Sequence, residues 1–168
     1  MRIILLAVIA AAMLQPPSAP QSPLAARVMR VTAVPSGVVF DNPVLHLKGV
    51  IEPSAGRRLQ IVEIALGATP VHTELATFRL VSAAGDEFAA IAVGGGADTL
   101  FPIARLPLER EESQILPSDA IVAMTRHGDN SVTLEADPLA TLAFLYDIPQ
   151  NATATGLRLP DGTQLALK

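Results

Sequence analysis

Residues 59–66 read LQIVEIAL. Val62, Ile64 and Leu66 share one parity, and Leu59, Ile61 and Ala65 share the other. Successive side chains of a strand point to opposite faces, so this segment is apolar on both. Such a strand belongs in the middle of a sheet that is covered on both sides.

Short β-type runs divided by turn residues extend from it in both directions. On the N-terminal side, residues 27–34 (RVMRVTAV) alternate, with Val28, Arg30, Thr32 and Val34 on one face and Arg27, Met29, Val31 and Ala33 on the other. Pro35-Ser36-Gly37 ends that run. Residues 38–40 and 44–51 follow, separated by Asp41-Asn42-Pro43, and Pro53-Ser54-Ala55-Gly56 is a further turn. On the C-terminal side the chain breaks at residues 67–70. Residues 78–81 and 87–93 then read as a hairpin turning at Gly85. The run Gly94-Gly95-Gly96 reads as a flexible connector. Residues 106–118 are polar and proline-bounded, with one helical turn at most. Residues 121–126 and 131–134 flank the turn His127-Gly128-Asp129-Asn130. Residues 139–148 (LATLAFLYDI) read as a strand, with a helix the lesser alternative by their Ala/Leu content, and Pro149 closes the run. Residues 155–159 and 164–167 flank Pro160-Asp161-Gly162-Thr163, a strong hairpin signal. About eight to ten strands at this spacing predict an all-β sandwich or barrel, read here as one antiparallel β-sandwich domain.

The N-terminus carries a different signal. Behind Met1-Arg2, residues 3–14 (IILLAVIAAAML) are apolar, and residues 15–23 are rich in Pro, Ser and Gln. A positive head, a short apolar run and a small-residue tail make a secretory signal peptide. The run is too short to span a bilayer, which needs roughly 20 apolar residues. Processing is expected within residues 19–26. Pro17-Ser18-Ala19 has a small residue at the right distance but is followed by Pro20, and Leu24-Ala25-Ala26 fits sterically. Residues 1–26 are therefore read as signal peptide and Pro/Ala-rich leader, residues 27–168 as one domain, and the location as secreted or periplasmic.

Composition narrows the function classes. The 168-residue chain has a net charge of −4 and scattered basic residues. Phosphate-directed nucleic-acid binding needs clustered Lys and Arg, so nucleic acid is not expected as a partner. No second long apolar segment follows the signal, so no membrane span is expected after its removal. Cysteine is absent, which excludes disulfides and a lipid-modified cysteine. Stability must come from the core.

Three segments carry a family resemblance. Residues 59–66 precede residues 76–88 (ATFRLVSAAGDEF), a hydrophobic strand ahead of a Phe-x-Leu hairpin with a turn glycine and a late aromatic. Residues 139–149 (LATLAFLYDIP) then end in an aromatic, an acid, an apolar residue and Pro. The pattern resembles the telokin-like, immunoglobulin-fold domains of secreted bacterial proteins and covers residues 58–167. In that family an Asn often stands after the long strand, where this chain has Gly67-Ala68-Thr69-Pro70. The resemblance implies an immunoglobulin-like sandwich and carries no catalytic residue, and fold alone does not give function.

The candidate chemistry is sparse. His46, His72 and His127 lie far apart without zinc-site spacing. Glu109-Arg110-Glu111-Glu112 offers paired carboxylates, but a mixed-charge run between prolines reads as a solvated loop. Asp129-Asn130 lacks the alternating ligands and terminal Glu of a calcium loop. Ser36 and Ser82 sit in turns outside any Gly-x-Ser-x-Gly elbow. Residues 94–96 lack the Lys-Ser/Thr of a phosphate loop. Asn151-Ala152-Thr153 is a glycosylation sequon.

No catalytic, cofactor-binding or metal-ligating residue is assigned, and no cofactor is implied. The expected function is an exported, non-enzymatic β-sandwich that binds a protein partner or ligand of the cell envelope or extracellular space. The alternative is an envelope hydrolase or metal-handling protein whose site is assembled from distant residues.

Overall fold

The computed structural model describes residues 24–43, 46–106 and 120–167. Their strands are β1 (Ala26–Val34), β2 (Val38–Asn42), β3 (Leu47–Ile51), β4 (Arg57–Leu66), β5 (Val71–Glu74), β6 (Arg79–Ser82) and β7 (Glu87–Gly94). They continue with β8 (Phe101–Pro102), β9 (Ile121–Arg126), β10 (Val132–Ala136), β11 (Thr141–Pro149), β12 (Ala154–Arg158) and β13 (Gln164–Ala166). The described chain is all-β, and its pairings are antiparallel.

The main sheet runs β1-β4-β11-β7-β6-β12-β13, with β8 added beside β7. It curls until its first and last strands come together, and the backbone N–H of Leu24 donates to the Asp161 carboxylate at 2.7 Å. Each step in this order reverses direction, so β1 and β13 run parallel where they meet. They are neighbours but do not pair, which leaves an almost closed barrel-like sheet with one seam. Near closure of this kind protects the two edges that an open sheet would expose.

Strand β4 lies between β1 and β11, and both of its faces are buried. Val62, Ile64 and Leu66 enter the large core with Phe144, Leu142, Phe78 and Leu80. Leu59 and Ile61 point the other way, into a second cluster with Leu145, Ala92, Leu100 and Val38. The hairpin β2–β3 supplies part of that outer cover. The smaller sheet β5-β10-β9 lies over the large core, sending in Val71, Leu134, Val132 and Met124. The Phe78 and Phe144 rings stack with centroids 4.6 Å apart. Beside them, burial pushes the Tyr146 phenol far above its ordinary pKa.

Several local expectations are corrected. A β-bulge lies between Val28, opposite Ile64, and Arg30, opposite Glu63. One extra residue, Met29, reverses the alternation: Val28 and Val31 both pack on the large core, and Arg30 faces outward. Strand β2 continues through Asp41 and Asn42, which face Lys48 and Leu47, because the turn starts only at Pro43. The four-residue strand β5, unanticipated from sequence, is held by β10. Gly94 is not part of a flexible connector: it is buried opposite Ala143, and a Cβ there would lie 2.5 Å from the Thr99 carbonyl oxygen. Leu139 sits in a turn ahead of β11, not in the strand. Residues 107–119, with the acidic run 109–112, lie outside the described residues, as do residues 1–23 of the stretch 1–26 expected to be signal peptide and leader.

Candidate functional site: the cleft at Leu139

The turn Asp137-Pro138-Leu139-Ala140 joins β10 to β11. Leu139 has φ +62°, and the Ala140 N–H reaches back to the Asp137 carbonyl at 3.4 Å. Proline at the second position and positive φ at the third match a type II turn, whose third position favours Gly or Asn. A leucine there costs about 1–2 kcal/mol. Two further backbone bonds pin it in place. The Leu139 N–H donates to the Gly67 carbonyl and the Leu66 N–H donates to the Ala140 carbonyl, both at 2.8 Å. The residue is nevertheless 74% exposed.

Leu139 borders an open cleft of about 450 Å³, with Ala25, Ala26 and Arg27 on one wall and Ala65, Leu66 and Gly67 on the other. Arg27 supplies the only charged side chain among those lining it. The lining mixes apolar side chains with backbone polar groups and one cation, and it suits recognition by contact.

The sequence-derived candidates are distributed as follows. His46 is exposed in the turn before β3, with φ +52°. His72 in β5 lies opposite Glu135 in β10, Nδ1 to Oε1 2.9 Å, with both side chains exposed. His127 Nε2 lies 2.6 Å from the Thr133 hydroxyl, two residues from Glu135 along β10. The fold thus brings His72 and His127 to the same small sheet, a proximity that sequence spacing hid. Among the described residues no group of three His, Asp or Glu gathers as a metal would require.

Asp129 accepts the Ser131 N–H at 2.9 Å, which holds its carboxyl below the usual range. Asn130 accepts from Arg126 at 2.6 Å. Both therefore act within the β9–β10 turn. Ser82 is buried, and its hydroxyl accepts the Asp86 N–H at 3.0 Å. Ser36 sits in the bend between β1 and β2, and Asn151 is exposed in the turn after β11.

A further charged group of the main sheet with a displaced titration is Glu63. It faces outward from β4, receives Arg30 through two nitrogens and accepts the Ala97 N–H at 3.2 Å. The Arg30 hydrogen bonds hold its carboxyl below the ordinary glutamate value, against the opposing effect of burial. This network ties the β1 edge and the 97–99 turn to the central strand. Its acceptor is occupied, so it braces the sheet and offers no free acid.

No protein-family model matches the chain, and no curated protein or solved structure is significantly similar to it. Among the described residues no helix is long and apolar enough to cross a membrane.

Proposed function

We propose that the protein is an exported, non-enzymatic β domain, secreted or periplasmic, that binds a protein partner through the cleft at Leu139. The observation that carries this reading is the leucine itself. Backbone strain held at an exposed apolar side chain contributes nothing to the core, and strain of this kind clusters at functional positions. Glycine would relieve it. An exposed leucine at the mouth of the cleft supplies burial worth about 1.5–3 kcal/mol once a partner covers it. The reading includes an immunoglobulin-like sandwich, supported by the packing of β5-β10-β9 against the main sheet over one core and by the pattern in residues 58–167.

The test is a photo-crosslinking amino acid placed at position 139, and separately at position 39, in the protein produced in its own cells. Val39 is 72% exposed on the outward face of β2 and serves as the control. The proposal expects one protein to be captured at 139 and absent at 39. No adduct at 139, or the same set of adducts at both positions, would sink it.

A further inference from the structure

Sequence leaves two candidate positions for signal cleavage, one ending at Ala19 and one ending at Ala26. We infer that Leu24–Ala26 belong to the working domain and that the peptidase cut falls before Leu24. The inference rests on the export reading and goes beyond it by excluding one of the two positions.

Four observations carry it. The Leu24 N–H donates to Asp161 Oδ2 at 2.7 Å, across 137 residues of sequence. Asp161 also accepts the Thr163 N–H at 2.9 Å within the β12–β13 turn, so one carboxylate joins the two ends of the curled sheet. Burial raises the carboxyl pKa of Asp161, but the amide hydrogen bonds from Thr163 and Leu24 outweigh it and leave the group below its usual value. The Ala25 carbonyl accepts the Gly67 N–H at 2.5 Å, extending the β1–β4 ladder past its first register pair, Ala26 opposite Leu66. Leu24 and Ala26 pack on the large core. Finally, a Cβ at Gly67 would lie 2.6 Å from the Ala25 Cβ and 2.9 Å from its carbonyl oxygen. The chain after β4 lies so close to Ala25 that only glycine fits.

A cut after Ala26 removes all of this. It orphans the Gly67 N–H, frees Asp161 from the β1 end, and strips Ala25 and Ala26 from the Leu139 cleft. Any cut before Leu24 keeps each of these contacts.

The deciding experiment is N-terminal sequencing with intact-mass measurement of the processed protein, recovered from the envelope or the medium of its own cells. The first residue is expected between Pro20 and Leu24. A chain beginning at Ala25, Ala26 or Arg27 overturns this inference and leaves the export reading standing. A chain still beginning at Met1 overturns export, and the inference with it. A second measurement uses Gly67→Ala in the same exported protein. With Ala25 in place, the added methyl must push the β1 lead-in away, so the unfolding midpoint should drop by several degrees. An unchanged midpoint would mean that nothing packs on Gly67, and the inference fails.

Discussion

Arg30 and Glu63 face each other across β1 and β4 only because Met29 bulges out of the ladder between Val28 and Arg30. Without the bulge Arg30 would point into the apolar core. With it, the guanidinium lies over a carboxylate whose side chain is 9% exposed, with one bond at 3.0 Å and a closer contact through the Arg30 Nε. The irregularity thus converts an awkward charge on a core-facing strand into a cross-strand brace.

That brace sets a pH dependence. The Glu63 carboxyl titrates below its ordinary 4.5 in the folded protein. Its contribution is therefore present above the unfolded-state pKa and is lost as pH falls through the folded one. Urea midpoints of the wild type should decline below about pH 4.5. Glu63→Gln should lower the neutral-pH stability by about 1–3 kcal/mol and flatten the acid decline. Equal acid slopes for the two proteins would remove Glu63 as the titrating brace; Asp129 and Asp161, also held low, would then carry the slope.

Ile64 is fully buried in β4, between the same face of β11 and the small sheet. Ile64→Ala deletes packed methylenes and leaves a cavity, at a cost of about 2–5 kcal/mol. Val39→Ser, on the exposed face of β2, should stay within about 0.5 kcal/mol. Chemical denaturation of both variants checks the contrast, and comparable losses would mean that the β2–β3 hairpin is covered.

Two glycines of one run should part ways. At Gly94 a methyl group meets backbone, 2.5 Å from the Thr99 carbonyl oxygen, which cannot step aside as a side chain can. At Gly96 nothing lies within 4 Å of the added atom, and the backbone there is extended. Gly94→Ala should therefore lower the thermal midpoint clearly while Gly96→Ala leaves it nearly unchanged. Similar midpoints would restore the view of the run as a loose connector.

Much of the sheet was legible in the sequence, and the missing parts have physical causes. The two-faced burial of residues 59–66 followed from parity, since both faces were apolar and both are covered. The hairpin turning at Gly85 and the turn at Gly162 announced themselves, each with a glycine at positive φ. The bulge at Met29 did not, because RVMRVTAV alternates plausibly in either register. Strand β5 was too short between Pro70 and Leu75 to show a period. The Leu139 turn carried its proline, but leucine in place of glycine disguised the third position as the start of a strand. The closure of the sheet depends on Leu24 and Asp161, which are far apart in sequence, and no local pattern records such a contact.

The central claim is that strain is kept at Leu139 for recognition, and one variant separates that role from a structural one. Leu139→Gly removes the left-handed penalty of about 1–2 kcal/mol and gives back about 0.5–1 kcal/mol in chain entropy. The folded protein should be as stable as the wild type or slightly more so. The deciding measurement is quantitative capture, from the native envelope, of the protein that crosslinks at position 139, using wild type and Leu139→Gly side by side. Losing a buried leucine contact should reduce capture by roughly tenfold or more with stability unimpaired. Undiminished capture by the glycine variant would contradict the account.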